Sequence, residues 1–189
     1  MIIGYICRHG QTEWNLSSIA QGWKDSPLTS FGKKHAKELS IKLSNLDIKK
    51  IISSDLGRAV ETAKIINSKL SKDILLNSNI REMSYGDYNG ATHEILINEN
   101  KGHHFLSYKF SNGESPEIFI NRISEFFNSF DKKYGKEPFL IVTHQGVIKS
   151  AMILAGKMKE EDFFKREIPH ESIARITIEN NKITSFDFL

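Results

Sequence analysis

Four residues that carry charge or a ring nitrogen stand just beyond short apolar runs of this chain. Arg8 and His9 follow IIGYIC (2–7), Arg58 follows KIISSDLG (50–57), and His144 follows FLIVT (139–143). Guanidinium forks match tetrahedral oxyanions, and cations crowded together repel unless an anion sits among them. Ligands of open α/β sheets lie outside the carboxyl ends of the strands. If the three runs are parallel neighbours, the pattern therefore points to a phosphate site. Gly10, Gly57 and Gly146 beside these residues are expected to bring backbone amides to the same anion. Taken singly, a histidine after a strand is usually structural and an arginine usually pairs with a surface acid. Three coincident strand ends argue against that reading.

Other chemistries fit less well. Cysteine phosphatases place an arginine six residues after the nucleophile, and here that position after Cys7 is Glu13. No Gly-rich nucleotide loop and no G-x-S-x-G elbow is present. His93, His103 and His104 lack the cysteines or H-E-x-x-H helix of a metal site, so surface or substrate-loop roles are expected and no metal.

The elements that must position these groups follow from periodicity. Runs 2–7, 50–53, 74–76 and 139–143 suit strands of a sheet covered on both faces. A helix is predicted over 27–46, with Thr29 as N-cap and Phe31, Ala36, Leu39 and Leu43 along one face. A second, over 55–70, takes Asp55 as cap and Ala59, Ala63, Ile66 and Leu70 as its face. A third runs from Ser115, before Pro116, to Gly135, and GVIKSAMILAG (146–156) is a fourth. Two β-rich stretches flank ENNK (179–182) at the end. Strand–helix alternation predicts an α/β fold, a three-layer α-β-α sandwich with a mostly parallel central sheet. Residues 83–114 are irregular and read as a substrate-side lid or loop.

The 189 residues are 39% hydrophobic and 26% charged, enough to bury a core as one domain, 1–189, without staples. Net charge is +3, and the lysines are dispersed, which predicts no nucleic-acid partner. No apolar run approaches a membrane span, and the start lacks the regions of a signal peptide. With Cys7 as the single cysteine, these features predict a cytoplasmic protein with no membrane partner.

Six blocks carry a resemblance over nearly the whole chain: RHGQTEWN, QGWKDSPLTSFG, SSDLGRAVETA, REMSYGDYNG, NGES and VTHQG. In that order they resemble the histidine phosphatase superfamily, also called phosphoglycerate mutase-like. The resemblance implies that His9 is a nucleophile forming a phosphohistidine. It implies that Arg8, Arg58 and His144 clamp the phosphoryl oxygens, and that Glu82 is the acid that protonates the leaving oxygen and then the base that activates water. Asn15, Gln21 and Gly22 match positions bordering phosphate or substrate. Gln145 stands where a glycine is usual and Lys149 where arginine is common; both neighbour the site and are expected to tune substrate choice. An imidazole attacks only when neutral, and positive surroundings lower its pKa. Guanidinium groups supply the positive charge, so neither metal nor cofactor is expected.

The predicted activity is hydrolysis of a small phosphorylated metabolite. Mutase activity is the alternative, and a non-catalytic phospholigand-binding protein is a weaker one, since every chemical part is present. Family mutases of the glycolytic type resemble longer chains with more sequence closing over the site. The PLT and NGES blocks resemble phosphatases acting on α-ribazole phosphate and sugar phosphates. His170, in the PHES loop (169–172), faces either the pocket or solvent. A homodimer is compatible with the sequence, though no apolar seam specifies one.

Overall fold

The computed structural model describes residues 1–104 and 106–189; residue 105, inside the segment 83–114, lies outside the described residues. Six strands form one sheet: β1 (Ile2–Arg8), β2 (Lys50–Ser53), β3 (Ile74–Leu76), β4 (Phe139–Thr143), β5 (Ile173–Glu179) and β6 (Lys182–Phe188). Their order is β3-β2-β4-β1-β5-β6. The first four run parallel, and β5 and β6 pair antiparallel on the far side of β1. Asn180 and Asn181, both at positive φ, make the tight turn that joins the last two strands.

Seven α-helices are assigned among the described residues: α1 (Glu13–Leu16), α2 (Ser30–Ser44), α3 (Gly57–Leu70), α4 (His93–Asn100), α5 (Pro116–Asn128), α6 (Phe130–Tyr134) and α7 (Gln145–Leu154). Alternation along β4 divides the core. Leu140 and Val142 pack with Leu39, Leu43, Ala63 and Ile66 of α2 and α3. Phe139 and Ile141 pack with Phe119, Ile123, Val147 and Ile148 of α5 and α7. The three-layer fold follows from this period-2 division of apolar side chains. None of the described helices is long and apolar enough to cross a membrane.

Five expectations about the elements need correction. The run 74–76 does form β3, but at the edge of the sheet and not covered on both faces, with Leu75 and Leu76 exposed. Phe31 is 49% exposed and meets the His35 ring at a tilt, centroids 4.0 Å apart, away from the face of Ala36, Leu39 and Leu43. Asp55 does not cap α3; its carboxylate takes two hydrogen bonds from Arg81, at 2.7 and 2.6 Å. The helix expected over 115–135 breaks at Ser129, whose hydroxyl donates back to the Glu125 carbonyl at 3.0 Å, a bond that bends helices. The segment 83–114 is not wholly irregular, because Thr92 caps α4, a helix of eight residues whose apolar Ile95, Leu96 and Ile97 are consecutive and show no helical spacing. Thr29 and Ser115 do cap α2 and α5, each accepting from a first-turn amide.

Strand register sets the site. Arg8 lies opposite Thr143, and Ser53 opposite Val142, so β1, β4 and β2 end level. The ladder runs one step further through His9 N–H to the Thr143 carbonyl (2.7 Å) and Ser54 N–H to the Val142 carbonyl (3.0 Å).

Gly4 lets β1 pass beneath the ring of Phe139, since a Cβ there would come within 2.1 Å of it. Gly4→Ala is expected to lower stability by about 1–3 kcal/mol. Urea unfolding checks this, with an unchanged midpoint as the contrary result.

Candidate active site

His9 follows β1 and is 3% exposed. Its Nδ1–H donates to the Gly10 carbonyl at 2.8 Å, which leaves the lone pair on Nε2. Burial pushes this imidazole well below its ordinary value, and Arg58, His144, Arg8 and His170 push the same way. The ring is therefore neutral at physiological pH. His144 packs against it, ring centroids 5.2 Å apart, with its Nε2 hydrogen-bonded to the Ser54 hydroxyl at 2.8 Å. Burial and then Arg58, Arg8 and Arg122 lower its pKa too. His170 turns inward: its Nδ1–H donates to the His9 carbonyl at 2.8 Å, and burial, with Arg8, pushes it down to about 4.

Two arginines frame this ring. Arg8 Nη1 donates to the Ile168 carbonyl at 2.5 Å and to Gln145 Oε1 at 3.3 Å. Arg58, in the first turn of α3, donates through Nη2 to the Gly22 carbonyl at 2.8 Å. Its Nη1 donates to the Lys24 carbonyl at 2.7 Å and to Asp25 Oδ1 at 2.9 Å. Asp25 also accepts from the backbone amides of Gly57 (2.7 Å) and Arg58 (3.2 Å), and so does the capping that Asp55 does not. Burial lowers Arg8 to about 10 and lowers Arg58 as well, yet both stay charged at neutral pH. Nε of Arg8, Nε of Arg58 and Nδ1 of His144 are buried and have no hydrogen-bond partner. Buried donors left open on the two guanidinium groups favour an anionic ligand.

Glu82 meets this cluster from the opposite wall. Its carbonyl accepts from Trp23 Nε1 at 2.8 Å and Arg122 Nη2 at 3.2 Å, and Glu114 holds Arg122 through two bonds of 2.8 Å. The carboxylate accepts from the amide of Met83 at 2.9 Å and that of Gly146, at the start of α7, at 3.2 Å. A Cβ on Gly146 would lie 2.1 Å from Glu82 Oε1, so the glycine makes room for the acid.

Arg8, His9, Asn15, Gln21, Gly22, Arg58, Glu82 and Gln145 all line one cavity of about 420 Å³. His144 is wholly buried beside His9 and is not part of that wall. Asn15 and Gln21 serve the wall itself: Asn15 Oδ1 accepts from the Thr12 amide at 3.0 Å, and Gln21 Nε2 donates to the Thr12 hydroxyl at 2.8 Å. The expectation for the glycine amides is corrected. Gly10 N–H donates to Thr62 Oγ1 at 3.0 Å, Gly57 N–H to Asp25, and Gly146 N–H to Glu82. All three are committed within the protein. Asp25 and Ser54 escaped the sequence reading, and of the two alternatives it left for His170 the structure takes the inward one. Asp25 stands 33 residues from Arg58, and no local spacing links them. Among the described residues no group of three or more His, Cys, Asp or Glu side chains is arranged to hold a metal ion. Burial pushes the Cys7 thiol up to about 12, which leaves it inert.

The profile of the histidine phosphatase superfamily (branch 1) matches residues 4–187. A relative from Escherichia coli O1:K1 / APEC, named "Probable phosphoglycerate mutase GpmB", is 32% identical over 148 residues, 75% of this chain and 69% of that protein. The structure of YhfR from Bacillus stearothermophilus superposes with a TM-score of 0.86 at 28% identity, over 97% of this chain and 94% of that one. The α-ribazole phosphatase of Shigella flexneri gives 0.83 at 25% identity, over 97% and 94%.

Two outcomes follow from this geometry. Asp25→Ala should weaken binding of inorganic phosphate on the order of tenfold, since the buried Arg58 loses its carboxylate partner, and should destabilise the fold by about 1–2 kcal/mol through the lost helix cap. Calorimetry and urea unfolding check both, and unchanged phosphate affinity would show that Arg58 keeps its place unaided. His9 and His144 are neutral when folded but titrate near their ordinary value when unfolded, so the unfolded state takes up more protons as pH falls below about 6.5. Stability should then drop by about 1.4 kcal/mol per pH unit for each ring. Ring resonances of His9 that titrate between pH 8 and 6 would contradict this.

Proposed function

The chain belongs to the histidine phosphatase superfamily (branch 1), and on that premise we propose that it is a metal-independent phosphatase hydrolysing small phosphate monoesters through a phosphohistidine on His9. The observation that carries the reading is the neutral, buried His9, whose Nδ1–H is tied to Gly10 and whose Nε2 is left to react, between two arginines with unpartnered Nε donors.

In the first step Nε2 forms a bond to phosphorus as the bond from phosphorus to the ester oxygen breaks. Glu82 delivers the proton that this oxygen needs. In the second step the Glu82 carboxylate takes a proton from water, the water oxygen bonds to phosphorus, and the N–P bond breaks to return the lone pair to Nε2. Dividing one displacement into two lowers each barrier. Arg8 and Arg58 carry the charge of the phosphoryl oxygens, a kind of electrostatic stabilisation that commonly accounts for the largest part of a rate enhancement. In the tautomer whose Nε2 accepts from the Ser54 hydroxyl, the His144 Nδ1–H is one more donor beside His9.

The name of the 32% identical relative favours a second reading, phosphoryl return to a reoriented substrate as in a mutase. The two readings share the phosphohistidine and differ in whether water is admitted. Incubation with 3-phosphoglycerate, scored for both phosphate release and isomerisation, separates them.

His9→Ala should abolish turnover of an aryl phosphate, and persistent activity would refute the assignment. Glu82→Gln should slow alkyl phosphates by about 10²–10⁴-fold and aryl phosphates much less, because an aryloxide leaves without protonation. Equal losses on both would remove Glu82 from the acid role.

A further inference from the structure

A second cavity, of about 590 Å³, opens from the first and shares Glu82, Tyr85, His93, Gln145 and Glu167 with it. Its other walls are largely apolar, built from Met83, Leu96 and Phe110 on one side and Phe163 and Phe164 on the other. Glu82, which stands at the junction, is the residue read above as the donor of a proton to the ester oxygen. Whatever is attached to that oxygen therefore extends past Glu82 into this compartment.

One charged group in it needs an explanation. Lys149, on α7, is 4% exposed and lines the compartment. Its Nζ sits 5.6 Å from the centroid of the Phe163 ring, and no hydrogen bond or ion pair joins it to the other described residues. An ammonium held largely out of water and open only to a cavity, with no acid in contact, is costly to hold. The groups facing it are Glu82, His93, Glu161, Lys165, Glu167 and Arg8, and the acids among them act on it only at a distance.

We infer, on the footing of the phosphatase reading above, that this compartment receives the alcohol part of the substrate and that Lys149 binds an anionic substituent on it. The preferred substrates are then phosphate monoesters of apolar, ring-sized alcohols that carry a second acidic group. The apolar walls favour a flat hydrocarbon body over a polyol. The lysine selects among such bodies for one with a carboxylate or a second phosphate. Burial, with Arg8, lowers Lys149 to about 8, so this selection is strongest below that pH and fades above it.

The test compares phenyl phosphate, 4-carboxyphenyl phosphate and glycerol 2-phosphate. At pH 7, kcat/KM for the carboxylated ester should exceed that for phenyl phosphate by about tenfold, one charge-assisted contact, with glycerol 2-phosphate the poorest of the three. The carboxylate preference should shrink as pH rises past about 8, and Lys149→Met should erase it. Binding of 4-carboxybenzylphosphonate against benzylphosphonate, measured by calorimetry, gives the same comparison without turnover. A wild-type preference of one or less, or one that survives Lys149→Met, overturns the inference. If it fails while phenyl phosphate is still hydrolysed in a His9-dependent way, the phosphatase reading stands alone. If no ester is turned over, that reading fails and the phosphonate pair still decides the role of Lys149.

Discussion

Keeping an imidazole uncharged between two guanidinium groups is the constraint on which the rest of this molecule depends. In water a histidine beside two arginines would keep its lone pair most of the time, but the arginines would be solvated and free to turn away. Here all three are buried, so their electrostatic influence on one another is strong. The positive surroundings and the loss of water both favour neutral His9. The Gly10 carbonyl then selects the tautomer. The same burial would expel the arginines unless their remaining protons were satisfied, and three backbone carbonyls and Asp25 do most of that work.

The scaffold supplies this arrangement by register. Three parallel strands end level, and each hands its next residues to a helix or loop at the same edge. Arg8, His9 and His144 need no long loops to meet, because they are continuations of adjacent strands. Arg58 arrives from the first turn of a helix, whose amides hold the carboxylate that in turn holds the guanidinium. The support is reciprocal: Asp25 stabilises the start of α3 and aims the arginine at once.

Charge is distributed unevenly over the two connected cavities. The first gathers two arginines and three histidines around a small volume, suited to a compact anion. The second is mostly hydrocarbon, with Lys149 as a buried cation that no protein acid neutralises by contact. Glu82 lies between them, its carboxylate steadied by two amides and its carbonyl by Trp23 and Arg122. A proton exchanged at Glu82 is thus exchanged at the boundary between the phosphoryl group and whatever it is esterified to.

Periodicity and strand-end residue types were enough to determine the sheet, the layers and the identities of the cationic cluster. The continuous apolar runs of β1, β2 and β4 suit covered strands, whereas the run 74–76 forms an edge strand with Leu75 and Leu76 exposed, a difference that periodicity alone does not carry. The caps at Thr29 and Ser115 were legible too, since each acts within three residues of itself. Tertiary structure alone decided what each charged group touches. The Asp25–Arg58 pair, the Glu82–Gly146 bond and the His170–His9 bond span 33, 64 and 161 residues. Asp55 shows the cost of reading locally, as its position fitted a cap while Arg81 took its carboxylate. Which way His170 turns and the lack of an acidic contact at Lys149 among the described residues were equally hidden, because side-chain partners are chosen by distance in space, which spacing along the chain does not encode.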